Sequence, residues 1–287
     1  MGELHTCKDE CGRRLAWAEY GAPNGTPVVF FHGTPGGRLA VTHQDDFLSQ
    51  QLRVIAPDRA GYGQTDPLPG RSVHDSAKDV LAILDACGFE QVLAVGGSGG
   101  GPHALALAAA APDRVRAVGV FVGAAPLVPD EITDQSALNQ SIMSRIDKPD
   151  DLRDLLVQVR TSLLEGGMSA IVADMPPSDR EQWSQHIATR QRAIDDALAP
   201  GIQGMFDDYC AIFGDKWGFE LSDVSSPVVW AHGDQDRNVP ISAARRLADK
   251  IRHHRFINWT GVGHAPGPEK MSQFYAALVA SSSGRDD

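Results

Sequence analysis

The feature that most constrains this chain is a short apolar run followed by a glycine-rich turn and a second apolar run. Residues 92–95 are rich in valine and predict a buried strand, and the Ala/Leu run over residues 104–109 predicts a helix. Between them, Gly96, Ser98 and Gly100 form the pattern G-x-S-x-G. This pattern places Ser98 at the tip of a sharp strand-to-helix turn, whose flanking glycines avoid a collision between a Cβ and the adjoining elements.

Such a turn favours a reactive side chain. The first amides of the following helix have no intrahelical partner, and with the positive end of the helix dipole they favour negative charge that develops beside Ser98. A glycine-rich turn could instead cradle a phosphate. However, the run fits G-x-G-x-x-G only loosely, lacks the Lys-Ser or Lys-Thr pair of a P-loop and does not follow the first strand. The sequence therefore favours a nucleophilic serine.

The length, the net charge and the distribution of apolar residues argue against several classes of protein. A chain of 287 residues fits one α/β domain with an insertion better than two equal domains. Its net charge of -11 argues against nucleic acid or an anionic membrane surface as a partner. The first twenty residues lack a basic start and an apolar stretch, and the run over residues 104–111 is too short to span a bilayer. We therefore expect a cytoplasmic protein.

The four cysteines are too few and too scattered for a disulfide framework. Cys7 and Cys11 lie close together, but no second pair of Cys or His residues follows at a spacing typical of zinc ligands. We therefore expect reduced thiols and no metal site.

Predicted strands and helices alternate on both sides of the serine turn. After a hairpin over residues 4–20, we predict strands at residues 28–31, 54–57, 92–95, 115–122, 227–231 and 255–259, and helices at about residues 72–87, 104–109, 242–251 and 269–280. This alternation indicates an α/β fold with a mostly parallel central sheet and helices on both faces. Ligands of such sheets bind outside the carboxyl ends of the strands, where His32, Asp58 and Ser98 lie.

The pattern changes between residues 126 and 216, where apolar residues recur only at helical spacing and residues 178–181 predict a capping box. An insertion of this length is too long for an ordinary connection. We therefore divide the chain into a core domain, residues 1–125 and 217–287, and an inserted helical cap (lid), residues 126–216.

The cap carries 16 acidic and 8 basic side chains. A charge excess on helices is typical of a solvated face, and we interpret it in that way. The alternative is that some of these acids line a binding site, but the sequence does not place them there.

Two later strand ends supply partners for the serine. A serine hydroxyl is a poor nucleophile at neutral pH, so it needs a base that takes its proton and a third group that orients the base. Asp236 and then His264 follow the predicted strands after the cap. The order Ser98, Asp236, His264 is the order that such a site requires when the nucleophile follows a central strand.

These residues resemble the α/β-hydrolase superfamily, from about Leu15 to Ala280. The matching pieces are His32-Gly33-Thr34-Pro35, residues 58–63, residues 96–100, Gly233-Asp234-Gln235-Asp236 with Val239-Pro240, and Gly263-His264. The resemblance implies the α/β-hydrolase fold. In that family the aspartate lies three residues after the glycine, which selects Asp236 over Asp234, and the histidine follows the last strand, which selects His264.

The resemblance also implies an oxyanion hole made by the backbone amides of Thr34 and Gly99, and a structural role for His32 beneath that loop. Gly97 is a departure, because histidine is common there. Gly97 and Gly99 together leave no side chain beside Ser98, and we expect the pocket to be more open there. The serine at position 98 argues against haloalkane dehalogenases and epoxide hydrolases of this fold, which place an aspartate there. No metal or organic cofactor is implied, because the three residues supply nucleophile, base and electrostatics unaided.

The resemblance implies a serine hydrolase that cleaves a small-molecule carboxylic ester or a related acyl compound through an acyl-enzyme on Ser98. One alternative resembles proline iminopeptidases, whose cap carboxylates hold the amino group of a peptide substrate. Another is a non-hydrolytic enzyme or a ligand-binding protein of the same fold, because a fold does not determine a function. In each case the expected partner is a small molecule.

Overall fold

The computed structural model describes residues 3–42, 44–173, 175–214 and 216–282. Its eight strands are β1 Leu4–Lys8, β2 Arg14–Gly21, β3 Thr26–Phe31, β4 Leu52–Pro57, β5 Val92–Gly97, β6 Val115–Phe121, β7 Val228–Gly233 and β8 His254–Trp259. The α-helices are α1 Gln44–Ser49, α2 Asp75–Cys87, α3 Gly100–Ala110, α4 Pro129–Thr133, α5 Ala137–Met143, α6 Pro149–Thr161, α7 Gly167–Ala173, α8 Pro177–Ser184, α9 Ile187–Ala197, α10 Gln203–Phe213, α11 Ile241–Ala248 and α12 Pro268–Ser282.

All eight strands belong to one sheet, in the order β1-β2-β4-β3-β5-β6-β7-β8. The strands β1 and β2 form the predicted hairpin, β2 pairs with β4 in the antiparallel sense, and every other pair is parallel. The prediction of a mostly parallel sheet is therefore confirmed. Because β3, β5, β6, β7 and β8 run in the same direction, their carboxyl ends meet at one edge.

Both faces of the sheet are covered by helices, as predicted. Successive residues of a strand point to opposite faces, so Val29 packs in a cluster with α2, α3 and α11, whereas Val28 packs in a second cluster with α1 and α12. Strand β5 is buried along its whole length. This double burial explains why the central strands are continuous apolar runs and do not alternate with polar residues.

Residues 126–216, called the helical segment below, contain α4 to α10 and a π-helical turn over Ser162–Gly166, and no strand lies among the residues of the segment that the structure describes. The segment has an apolar cluster of its own, which includes Leu152, Leu156 and Met205. Tyr62, from the loop after β4, joins that cluster and links it to the sheet.

The predicted capping box at residues 178–181 is wrong. Helix α8 begins at Pro177, whose missing N–H and restricted φ suit the first helical position. Ser178 therefore lies inside the first turn, and the side chain of Asp179 is bound elsewhere, as described below. Across the described ranges, no helix has the length and the apolar character that a bilayer crossing requires.

Candidate active site

The sequence-predicted site residues meet at the carboxyl edge of the sheet. Thr34 follows β3, Ser98 follows β5, Asp236 follows β7 and His264 follows β8. Since these strands are parallel, their terminal loops lie side by side.

Ser98 occupies a tight turn with a left-handed backbone, at a φ of 51°. A Cβ on Gly96 would overlap the carbonyl oxygen of Gly100, and a Cβ on Gly100 would overlap that of Phe31. The turn is fixed on its other side by the Ser98 amide, which donates to the carbonyl oxygen of Phe121 at 3.1 Å. The close approach of strand and helix thus requires both glycines and leaves the serine hydroxyl at the tip.

A continuous hydrogen-bonded chain joins Ser98, His264 and Asp236. The Oγ atom of Ser98 lies 3.0 Å from Nε2 of His264, and Nδ1 of His264 lies 2.7 Å from Oδ2 of Asp236. The other carboxylate oxygen of Asp236 accepts from the amides of Asn238 and Val239 at 2.8 and 2.9 Å. A carboxylate can only accept, so Nδ1 of His264 donates to it and Nε2 is left to accept a proton from the serine.

Opposing effects act on the pKa values of this pair. Burial would raise the pKa of Asp236, but the facing His264 and hydrogen bonds from two histidines hold it below its usual range. Burial would lower the pKa of His264, but the carboxylates of Asp236 and Asp179 outweigh burial and raise it above its ordinary value. The second histidine beside Asp236 is His232, whose Nε2 lies 3.3 Å from Oδ2 and 2.9 Å from the carbonyl oxygen of Val239.

Thr34 and Gly99, whose backbone amides are the predicted oxyanion donors, lie next to one another beside the serine. An added Cβ on Gly99 would lie 3.2 Å from the amide nitrogen of Thr34, and one on Gly33 would lie 3.5 Å from the Cβ of Ser98. Within the described part of the chain, neither amide donates to an acceptor. Two unpaired N–H groups at this position are suited to an oxygen that develops negative charge.

His32 lies beneath this loop and does not join the serine chain. Its Nδ1 donates to the carbonyl oxygen of Gly33 at 2.8 Å, and its Nε2 accepts from the amide of Arg59 at 3.2 Å. Burial and the charge of Arg59 lower its pKa well below the ordinary value. A neutral His32 therefore joins the loop after β3 to the loop after β4.

Sequence reasoning missed Asp208, on α10 of the helical segment. Its fully buried carboxylate accepts from Thr34 Oγ1 at 2.7 Å and Tyr62 Oη at 3.0 Å, and pairs with Arg59 and Arg71, each at 2.5 Å. Burial would raise its pKa, but the two arginines hold it well below the usual range. The segment is thus bound to the loop that carries Thr34.

The interpretation of the acidic excess as a solvated face is wrong for four of these residues. Glu131, Asp179, Asp207 and Asp208 are 7%, 4%, 2% and 0% exposed. Asp207 accepts from the amide of Gly70 at 3.0 Å, and Asp179 accepts from that of Ala265 at 2.9 Å. Two adjacent acids inside the apolar run of α10 were a usable signal for Asp207 and Asp208, because buried carboxylates need partners; the sequence around Asp179 offers no comparable signal.

The expectation that Gly97 and Gly99 leave the pocket more open is also wrong. A Cβ on Gly97 would overlap the ring of Phe121, and a Cβ on Gly99 would overlap the side chain of Thr34. Side chains from β6 and from the loop after β3 therefore occupy the space on the two sides of Ser98.

A second serine, histidine and aspartate meet in the interior. Nδ1 of His103 lies 2.7 Å from Oγ of Ser76, and its Nε2 lies 3.5 Å from Asp208. Ser76 and His103 are buried, whereas Ser98 and His264 are partly exposed. Burial lowers the pKa of His103 to about 4. The buried set is therefore out of reach of a substrate and can act only within the fold.

Among the residues that the structure describes, no three or more His, Cys, Asp and Glu side chains are grouped so that they could hold a metal ion.

A mostly parallel sheet, covered on both faces and carrying a strained serine turn after a central strand, defines an α/β protein of the hydrolase type. The chain belongs to the α/β-hydrolase family, because the family model described as alpha/beta hydrolase fold matches residues 26–270. It is an α/β hydrolase.

Two curated relatives match most of the chain. A "Non-heme chloroperoxidase" of Streptomyces lividans is 29% identical over 286 residues, which cover 94% of this chain and 97% of that protein. A "2-hydroxy-6-oxo-2,4-heptadienoate hydrolase" of Pseudomonas putida is 29% identical over 84% of this chain and 83% of that protein. Among solved structures, a thermophilic esterase from Thermogutta terrifontis has a TM-score of 0.70 and 20% identity, covering 98% and 99% of the two chains. At that identity, the structural likeness concerns the fold.

Proposed function

We propose that this α/β hydrolase is a serine hydrolase that cleaves a small-molecule carboxylic ester or a related acyl compound through an acyl-enzyme on Ser98. The observation that carries the proposal is the chain from Ser98 Oγ to His264 at 3.0 Å and on to Asp236 at 2.7 Å. This chain supplies a nucleophile, a base on its proton and a group that orients the base.

The geometry supports the following sequence of steps. As the Oγ of Ser98 attacks the acyl carbon, Nε2 of His264 takes the serine proton and Asp236 stabilises the imidazolium that forms. The oxygen of the tetrahedral intermediate binds the amides of Thr34 and Gly99, each of which contributes about 3 to 4 kcal/mol. His264 then gives its proton to the departing alkoxide. In the second half, water attacks the acyl carbon while His264 takes its proton, the bond from the acyl carbon to Ser98 Oγ breaks, and His264 returns the proton to the serine.

We also propose that the helical segment, residues 126–216, is a cap over a core formed by residues 1–125 and 217–287. Its separate apolar cluster supports this division. Its buried carboxylates support a role near the site, because Asp208 binds Thr34 and Asp179 binds the residue after His264.

A second candidate is an aminopeptidase that resembles proline iminopeptidases. The observation that favours it is the position of Asp179, because a carboxylate of the helical segment lies at the His264 loop. The carboxylate of Asp179 could bind the ammonium group of a peptide there. A non-hydrolytic enzyme or a ligand-binding protein of the same fold is the other alternative, and the name of the Streptomyces lividans relative supports non-hydrolytic chemistry.

A fluorophosphonate probe with detection by mass spectrometry tests for an activated serine. We expect one adduct, on Ser98, and none in Ser98→Ala or His264→Ala. Hydrolysis of 4-nitrophenyl butyrate and of proline 4-nitroanilide then separates an esterase from an aminopeptidase. The proposal is wrong if the folded protein forms no adduct, or if Ser98→Ala turns over the ester at the wild-type rate.

A further inference from the structure

The loop that carries His264 is held by the helical segment as well as by the sheet. Asp179, near the start of α8, is buried, and its Oδ1 accepts a hydrogen bond from the amide of Ala265 at 2.9 Å. Ala265 directly follows His264 in the chain. The acceptor of this hydrogen bond lies 86 residues away in sequence. The position of the histidine loop therefore depends on where α8 is docked.

The backbone of this loop is shaped to fit α8. A Cβ on Gly263 would overlap the carboxylate of Asp179, so the residue before His264 has room for no side chain. One turn further along α8, Gln182 lies against Gly267, where an added Cβ would lie 3.3 Å from Oε1. Glycines on both sides of His264 thus allow the helix to approach the loop closely.

The charged groups that face His264 come from two elements. Asp236, after β7, binds its Nδ1 directly, and Asp179, on α8, adds a second negative charge without a hydrogen bond to the ring. On the opposite side, Nε2 faces the neutral hydroxyl of Ser98. An additional negative charge stabilises the imidazolium relative to the imidazole. The imidazolium is the form that a base acquires when it takes the serine proton.

We propose that Asp179 is a positioning residue for the serine site: its buried carboxylate holds the His264 loop through the amide of Ala265. The inference rests on the proposed function of Ser98 and His264. The hydrogen bond that Asp179 accepts and its negative charge can be separated by substitution. An asparagine keeps an oxygen for the amide but removes the charge, whereas an alanine removes both.

The test compares Asp179→Asn, Asp179→Ala and the control Glu181→Gln, which removes an exposed charge from the same helix. The substrate is 4-nitrophenyl butyrate, whose neutral acyl group cannot pair with Asp179.

For Asp179→Asn, we expect a kcat within about threefold of the wild type. We also expect the acid limb of the kcat/KM profile to move to lower pH, because the imidazolium of His264 loses a stabilising charge. For Asp179→Ala, we expect the same displacement and a further loss of about 10- to 100-fold in kcat at little change in KM, because the histidine is misplaced. Glu181→Gln should match the wild type.

An NMR titration measures the effect of the Asp179 charge on the pKa of His264 without turnover. The His264 signal is assigned as the one that is absent in His264→Ala. We expect a lower pKa in Asp179→Asn than in the wild type. The inference is overturned if Asp179→Asn titrates like the wild type, or if a folded Asp179→Ala keeps the wild-type kcat. If Asp179→Ala does not fold, the asparagine variant and the titration decide. Turnover that survives Ser98→Ala contradicts the proposed function instead, and the NMR titration then still decides whether Asp179 acts on His264.

Discussion

The carboxylate of Asp208 accepts a hydrogen bond from the side-chain hydroxyl of Thr34 at 2.7 Å, and so joins α10 of the helical segment to the loop that carries a proposed oxyanion amide. Arg59 donates to the same hydroxyl at 3.0 Å and also binds Asp208. The side chain of Thr34 is thus fixed by two partners, while its amide, beside Gly99, binds no acceptor among the residues that the structure describes.

Replacement of Thr34 by valine tests this relationship, because valine has the same shape but no hydroxyl. We expect Thr34→Val to lower kcat for 4-nitrophenyl butyrate by about tenfold, since the amide is less firmly oriented. We also expect a loss of about 1 to 3 kcal/mol in the free energy of unfolding by urea, because a buried charged acceptor loses a donor. Thr34→Ser keeps the hydroxyl and is the matched control. Equal kcat values for the two variants would contradict the prediction.

Asp236→Asn should prevent His264 from acting as a base without disturbing the loop after β7. One carboxylate oxygen accepts from the amides of Asn238 and Val239, and the asparagine oxygen can take its place. The NH2 group then faces Nδ1 of His264, which must accept, so Nε2 carries a proton and cannot take that of Ser98. We expect kcat/KM to fall about 10⁴-fold, as expected for a wrong tautomer, with loss of fluorophosphonate labelling. A folded variant that keeps its labelling rate would refute this account.

The pH dependence of kcat/KM should reflect the raised pKa of His264. Burial lowers this pKa, but Asp236 and Asp179 raise it above the ordinary value of 6.5. A protonated His264 cannot accept the serine proton. Activity should therefore be full above the raised pKa and fall as the pH decreases through it. A profile from about pH 5 to 9 checks this, and an acid limb centred below the ordinary histidine value would contradict it.

Gly97→Ala tests whether the ring of Phe121 fills the space beside residue 97. The new methyl group would overlap the ring of Phe121, so we expect a loss of about 1 to 3 kcal/mol in the free energy of unfolding, as is usual for overpacking. In the double variant with Phe121→Leu, the smaller side chain should recover part of the loss from Gly97→Ala. The free energies of unfolding by urea of the wild type, the two single variants and the double variant form a double-mutant cycle. Strictly additive losses would show that the two side chains do not compete for space.

Sequence patterns foresaw the sheet and the serine turn because these depend on local signals. Valine-rich runs mark doubly buried strands, and glycines mark the approach of β5 to α3. Ser98, Asp236 and His264 each follow a strand that was predicted to be parallel, and parallel strands end at one edge of the sheet. The sequence therefore also predicts that the three residues lie together, and the structure places them together. Their catalytic roles stay a proposal.

The contacts of the helical segment could not be foreseen in the same way. Asp179 meets Ala265 across 86 residues, and Asp208 meets Thr34 across 174. Helical periodicity shows which side of a helix is apolar, but it does not show which loop a polar residue on that helix will face. The pair of acids in α10 indicated burial without indicating the partner, and the tight fit at Gly97 depended on a ring from the next strand.

Gly263→Ala provides the last prediction, because it acts on the Asp179 contact from the other side. The added Cβ would overlap the Asp179 carboxylate and displace it from the amide of Ala265. We expect kcat for 4-nitrophenyl butyrate to fall about 10- to 100-fold, as in Asp179→Ala. The double variant should be no slower than Asp179→Ala alone, since the methyl group then meets an empty space. If the two losses multiply, Gly263 acts on His264 by a route that does not involve Asp179, because independent effects add in free energy.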